Sequence, residues 1–429
     1  MSAAGLGWTG ILRLGAVQAS IGAMVMLATS LLNRVMVVEY ALAAAVPAGL
    51  VAWHYAVQLS RPAWGHGSDR GRRRTPWIVG GMGVLALGAL LAVNATLLMG
   101  AGSAAGAVLA ILAFTLIGAG VGASGTSLLA LLASAVAPER RAAAAALTWI
   151  MMVAGIAISA GIAGSLLEPF TEQRLALVAG GVAFAAFALT LIAVAGLENR
   201  VSIAPRREPS PDLRAALREI ALDGEARRFT LFVFVSMLAY SMQDLILEPF
   251  AGLVFAMSPG QSTQLAGAQH GGVLVGMILA GIGGSAFGGR RPAELRRWTV
   301  AGCLGSALAL AGLAVAGPGW PLTANVVALG LANGVFAVAA IGSMMGLAGA
   351  GARSREGVRM GVWGAAQAIA FGLGGLIGAV GVDAARALLT ETGPAFQLIF
   401  AVEAGLFLAA ATLALRAVRP LPMQRMATV

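Results

Sequence analysis

Lysine is absent, and all 28 basic side chains are arginine. That excludes chemistry carried by a lysine amine: a phosphate-binding G-x-x-x-x-G-K-[ST] loop, a Schiff base or a lysine general base. One cysteine, Cys303, excludes intrachain disulfides and paired-cysteine metal or redox motifs. The three histidines, His54, His66 and His270, stand far apart and never at a metal-binding spacing such as HExxH. No catalytic constellation remains, so the chain reads as a non-enzyme with no metal site of its own. Charge is scarce as well, at 11% of residues against 59% hydrophobic, with a mean hydropathy of +0.87. A soluble domain carries about 25% charged residues, so this chain belongs in a lipid bilayer.

What is present is a series of apolar runs, each near the roughly 20 residues that a spanning helix needs. They predict twelve helices over residues 11–38, 44–60, 76–98, 105–136, 142–167, 173–196, 229–250, 264–289, 297–316, 321–350, 358–384 and 394–417. The first run is long enough to stay as an anchor rather than be cleaved as a signal. Glycine, at 59 residues, suits close helix packing in lipid.

The longest polar stretch divides the spans six and six: 1–198, a linker over 199–228, and 229–429. Within the linker, Leu213, Leu217 and Ile220 recur at helical spacing beside Arg214 and Arg218, which predicts a short amphipathic helix on the membrane surface. A weak repeat supports two pseudo-equivalent halves: Glu39 answers Glu248, His54 answers His270, and Trp149 answers Trp363. The expected fold is therefore an all-α membrane protein of twelve transmembrane helices in two pseudo-symmetric six-helix halves.

Arginine sets the orientation, because short arginine-rich loops stay in the cytoplasm. All but Arg34, Arg174 and Arg386 fall near the termini or in the loops joining even helices to odd ones. Both termini are expected to face the cytoplasm. The net charge of +10 is then an orientation signal and not a nucleic-acid footprint.

Ionisable groups inside a bilayer are expensive and need a reason. The first helix carries Asn33, Arg34 and Glu39, the seventh carries Gln243, Asp244 and Glu248, and the twelfth carries Glu403. Arg34 can neutralise Glu39, Asp244 or Glu248, so the set reads either as a structural polar lock or as a cavity lining for a substrate or a proton. His54 lies seven residues before Arg61, roughly 10 Å along its helix, and so deep in the membrane. His270 follows an expected loop over 258–264 by six residues. A neutral imidazole can serve as axial ligand to the metal of a tetrapyrrole, or as a hydrogen-bonded packing or proton-relay group.

Between the second and third helices the chain reads Gly65-His66-Gly67-Ser68-Asp69-Arg70-Gly71-Arg72-Arg73-Arg74. This resembles the G-x-x-x-D-R-x-G-R-R loop of the major facilitator superfamily, one residue shorter. The resemblance implies that fold, and a cytoplasmic gate of Gly65, Asp69, Arg70, Gly71, Arg72 and Arg73. Glu139 and Arg140, and Glu356 and Arg359, stand in the related loops.

Longer blocks are more specific: Leu-Leu-Asn-Arg-Val-Met-Val-Val-Glu at 31–39, His-Tyr-Ala-Val-Gln at 54–58, Ser-Met-Gln-Asp-Leu-Ile-Leu-Glu-Pro-Phe at 241–250, and Gln-His-Gly-Gly at 269–272. They resemble the bacteriochlorophyll-delivery (PucC/LhaA-type) branch of that superfamily in phototrophic bacteria. The resemblance implies a membrane-embedded assembly factor for light-harvesting complexes, in the cytoplasmic or intracytoplasmic membrane. Its partners would be bacteriochlorophyll, bound non-covalently, antenna polypeptides and a pigment-biosynthesis enzyme. His54 and His270, with Gln58 and Gln269 beside them, are the candidate pigment-binding residues. A proton-coupled transporter of a small molecule and a pigment-free scaffold for antenna subunits are the alternatives.

Overall fold

The computed structural model describes residues 6–61, 63, 64, 68, 73–137, 140–198, 224–286, 292–349, 356–389 and 391–417, without the side chains of 141–142, 225–226, 282–286, 292–295, 341–349, 356–365 and 417. The expected gate residues Gly65, Asp69, Arg70, Gly71, Arg72 and Glu139, the loop His66, and the linker over 199–223 with its amphipathic helix lie outside the described residues. Glu356 and Arg359 are described as helical backbone only.

The chain is all helical over the described residues. Helix α1 spans Trp8–Glu39, α2 Ala45–Gln58, α3 Thr75–Gly100, α4 Ala104–Ala135, α5 Arg141–Leu166 and α6 Glu172–Val194. Helix α7 runs over Gly224–Met242, passes through a 3₁₀ turn at Gln243–Leu245 and resumes over Leu247–Phe255. Then follow α8 Pro259–Ala286, α9 Pro292–Leu313, α10 Leu322–Gly349, α11 Glu356–Leu388 and α12 Thr392–Ala417. Nine of the described helical segments are long and apolar enough to cross a membrane, leaving α2, α8 and α9.

Three starts fall five residues before the apolar runs: α7 at Gly224, α8 at Pro259 and α9 at Pro292. An apolar run marks what sits in hydrocarbon, whereas helical hydrogen bonding continues into a polar first turn. Proline is well placed at such a start, because its missing N–H would have no intrahelical partner there. The expected loop over 258–264 is therefore mostly helix. His270 lies eleven residues inside α8, roughly 16 Å from its start.

Helix ends are closed by side chains from neighbouring helices. Arg13 Nε donates to the Ala193 carbonyl at 2.8 Å, at the frayed end of α6. Glu198 accepts from the backbone N–H of Arg74 at 2.6 Å and of Thr75 at 2.9 Å, at the start of α3. Thr171 accepts from the Arg174 N–H at 3.1 Å and caps α6. Each removes an orphan backbone group that a helix terminus leaves behind.

Packing repeats with a shift of six helices. Helix α1 packs on α5 and α6 as α7 packs on α11 and α12; α4 packs on α2 and α3 as α10 packs on α8 and α9; α3 packs on α6 as α9 packs on α12. The two halves meet along two lateral seams, α5 with α8 and α2 with α11. Large apolar side chains such as Val108, Leu177, Phe184, Ile192 and Leu308 cover the outside, as expected of a lipid-facing surface.

Candidate functional site

The polar residues of α1 and α7 meet where these helices are irregular. Helix α1 widens into π turns at Leu27–Leu32 and Val35–Glu39, a feature frequent at functional sites. Helix α7 breaks at Gln243–Leu245 for a reason visible in the chain. Pro249 lacks the N–H that would bond the Leu245 carbonyl four residues earlier. Asn33 supplies the missing donor, with Nδ2 at 2.9 Å from that carbonyl.

Arg34, only 1% exposed, is the hub of the set. Its Nη1 pairs with Glu39 Oε1 at 2.5 Å, Nη2 donates to the Met257 carbonyl at 2.6 Å, and Nε donates to Ser262 Oγ at 3.0 Å. The guanidinium thus closes the end of α7 and ties α1 to the start of α8. Among the described residues Arg34–Glu39 is the one ion pair. Glu248 takes a hydrogen bond from Ser30 across the two halves and a long one, 3.5 Å, from Thr263. Of the three acids open to Arg34 from the sequence, the structure pairs it with Glu39. Asp244 is left half-buried, and the side chain of Gln243 is fully buried with neither polar atom bonded.

Two further cross-half contacts flank this hub. Asp383, on α11, accepts from the N–H groups of Ala44 at 3.1 Å and Ala45 at 2.7 Å, at the start of α2. Glu168, just after α5, accepts from Ser258 Oγ at the start of α8. Since α11 answers α5 and α2 answers α8, these clamps are pseudo-symmetric mates. Both set a carboxylate at a helix N-terminus, where orphan N–H groups and the helix dipole favour it. Together with the Arg34 hub they latch the arginine-poor end of the molecule. Neither clamp was legible beforehand, because an acid in a loop gives no sign of which distant helix it caps. Beside the hub, the Tyr40 hydroxyl donates to Glu172 at 2.8 Å, and burial followed by that acid pushes the phenol well above its ordinary range.

The two histidines have related chemistry and different surroundings. Nδ1 of His54 lies 2.6 Å from the Val51 carbonyl and Nδ1 of His270 lies 2.9 Å from the Ala266 carbonyl. A carbonyl only accepts, so each Nδ1 carries its proton; in the neutral ring Nε2 then keeps a lone pair. His54 is 1% exposed and its ring lies 4.2 Å from that of Tyr55. In this arrangement the His54 ring is packed within the bundle.

His270 is part-exposed. Lipid-facing Leu279 lies nine residues on, about two and a half turns, so His270 looks into the bundle. Its Nε2 fits the requirement of an axial ligand. Gln58 accepts from Arg61, while Gln269 is buried on α8 where the Gln269 carbonyl faces Gly330 of α10. Of the expected gate residues, Arg73 is exposed at the start of α3 and Arg140 half-buried just before α5.

Comparison with known proteins adds four findings. The profile of the PUCC protein family matches residues 31–421. A Rhodobacter capsulatus protein named bacteriochlorophyll synthase 44.5 kDa chain is 50% identical over 426 residues, 99% of each chain. Protein PucC of the same organism is 30% identical over 426 residues, 92% of this chain and 89% of that one. Among solved structures, a mutant of the nucleoside transporter NupG superposes with a TM-score of 0.70 at 12% identity, over 96% of this chain and 100% of that one. At that identity the likeness speaks for the fold, which is that of the major facilitator superfamily.

Proposed function

This chain belongs to the PUCC protein family, and from that premise we propose that it is a non-enzymatic assembly factor for bacterial light-harvesting complexes. In this reading it takes up bacteriochlorophyll inside its helical bundle and passes it to antenna polypeptides in the membrane. The observation that carries the assembly role is the family match over nearly the whole chain. The pigment is supported by the name of the 50% identical relative and by the inward-facing imidazole of His270. When bound, the pigment would bring a magnesium that His270 Nε2 would hold. The chain's part is to hold Nδ1–H of His270 on the Ala266 carbonyl, which fixes the ring and aims Nε2 inward. Arginine-rich loops and both termini face the cytoplasm in this reading.

The name of that relative also raises an enzymatic reading. Against it, Glu248, the buried carboxylate of the hub, is engaged with Ser30 and Thr263.

The test is the absorption spectrum of the protein purified in mild detergent from a phototrophic host. Bacteriochlorin co-purifies with the wild type and with His54→Ala, and is depleted in His270→Ala with antenna levels reduced. A colourless wild type, with antenna levels unchanged in the double variant, overturns the pigment part. Capture of antenna polypeptides by crosslinking in a pigment-deficient strain would then leave a scaffold role.

A further inference from the structure

Helix α12 buries one continuous stripe, Phe396, Phe400, Glu403, Phe407 and Ala410, at the spacing of an apolar helix face. A carboxyl stands where that pattern calls for a hydrocarbon. Its neighbours one turn away on either side are locked into aromatic contacts with other helices: Phe400 with Phe250 of α7 at 5.1 Å, and Phe407 with Phe336 of α10 at 6.1 Å. Glu403 is 0% exposed, no side chain hydrogen-bonds to either of its oxygens, and the backbone N–H of Gln243 reaches its carboxyl. The side chain of Gln243, at the break of α7, whose segments on either side pack against α12, is likewise 0% exposed with both polar atoms free.

A buried carboxylate with no cation beside it is costly to hold, and such a group neutralises instead. Among the described side chains no cation pairs with this one. The helices packed on α12 keep their arginines near their ends: Arg227 and Arg228 on α7, Arg296 and Arg297 on α9, and Arg359 and Arg386 on α11. On α12 itself Arg416 is thirteen residues away, roughly 20 Å. The other titratable groups of these helices whose side chains are described are Tyr240, Asp244 and Glu248 on α7, Cys303 on α9 and Asp383 on α11. Glu248 and Asp383 are already bonded in the latch. Asp244 directly follows Gln243, whose backbone N–H reaches the Glu403 carboxyl, so it is the acid in reach of Glu403, and it is the less buried of the two.

We propose that Glu403 and Asp244 form a proton-binding site in the C-terminal half, with Glu403 as its buried carboxylic acid and Asp244 as its port. In the step between them the O–H bond of Glu403 breaks and the same proton forms an O–H bond on the Asp244 carboxylate. One proton and one negative charge stay within the pair throughout. Gln243 suits both states, because its amide can accept from an acid O–H and donate to a carboxylate. The 3₁₀ turn that carries Gln243 and Asp244 frees this segment from regular helix geometry, as such turns do at hinges. The site is independent of whether pigment is bound.

Infrared spectroscopy of the full chain in detergent, followed through a pH titration, reads the site directly. At neutral pH the wild type shows the carbonyl band of a protonated carboxylic acid, and Glu403→Gln loses it while keeping the wild-type melting temperature. Should Glu403→Gln fail to fold, Glu403→Asp displaces the band instead of deleting it. Asp244→Asn keeps the band but slows its shift on transfer to heavy water by roughly a hundredfold. A wild type without the band at neutral pH, or a band unmoved by either Glu403 variant, overturns the site. Unchanged exchange in Asp244→Asn overturns the port.

Discussion

The two lateral seams do the same topological work with opposite materials. Along α5–α8 backbone rests on backbone: a Cβ on Gly164 would meet the Gly260 carbonyl at 2.6 Å, and one on Gly267 would meet the Gly161 nitrogen at 2.9 Å. Along α2–α11 the contact is made by rings. Phe371 lies 6.1 Å from Tyr55 and 5.7 Å from Tyr240, and a Cβ on Gly372 would meet the Tyr55 Cβ at 3.3 Å. A carboxylate at a helix N-terminus closes the arginine-poor end of each. The lesson is that pseudo-symmetry is kept in the latch and given up in the body of the seam. A glycine seam yields only by parting the helices, whereas rings can re-pack in place.

The variant with the largest expected effect acts on both seams together, because Arg34 sits between them. Arg34→Ala releases the solvent-accessible Glu39 and leaves the Met257 carbonyl and the Ser262 hydroxyl without their buried donor, at roughly 1–3 kcal/mol for each group left unsatisfied. A large fall in melting temperature in detergent is expected, and a near-wild-type value would show that the hub is incidental. Next is Gly164→Leu, which wedges the backbone seam at roughly 1–3 kcal/mol. Gly372→Ala on the ring seam should cost clearly less in the same melt, and equal losses would erase the contrast.

The two clamps are expected to be smaller and separable. Asp383→Asn and Glu168→Gln should each cost roughly 0.5–2 kcal/mol, the range for a lost N-terminal cap. Because Cys303 is buried, a cysteine introduced at the arginine-poor end can be labelled without competition. Labelling of Ala43→Cys should rise with Asp383→Asn and stay flat with Glu168→Gln, and a rise with both would mean that the latch opens as one unit. The smallest effect is expected for Tyr55→Phe. The ring contacts persist, no hydrogen bond to the Tyr55 hydroxyl is described, and the loss should stay within about 0.5 kcal/mol.

Much of the architecture could be read from the chain, because a span must be a run of apolar residues and a boundary must be polar. Ten of the twelve expected helices end within three residues of the observed C-termini, whereas α7 runs five residues beyond its expected end and α11 four. The break in α7 was hidden, although Pro249 carried its signal, since the apolar character of 241–250 does not change across it. The depth of His270 was left open for a related reason: a polar stretch of Gln, Ser and Thr reads as loop even when it is the first turns of a helix. Glu403 was visible as an acid in an apolar run, but its position in a phenylalanine stripe with no cation nearby became visible only with the helices placed.

Composition and charge order alone determined that this is an arginine-edged bundle of helices in lipid, because bilayer thickness and the cost of burying charge act on each segment locally. Which acid meets Arg34, which carboxylate caps which helix, and which histidine looks inward were decided only by tertiary structure. Those partners lie up to 339 residues apart, and nothing local to either residue specifies the other.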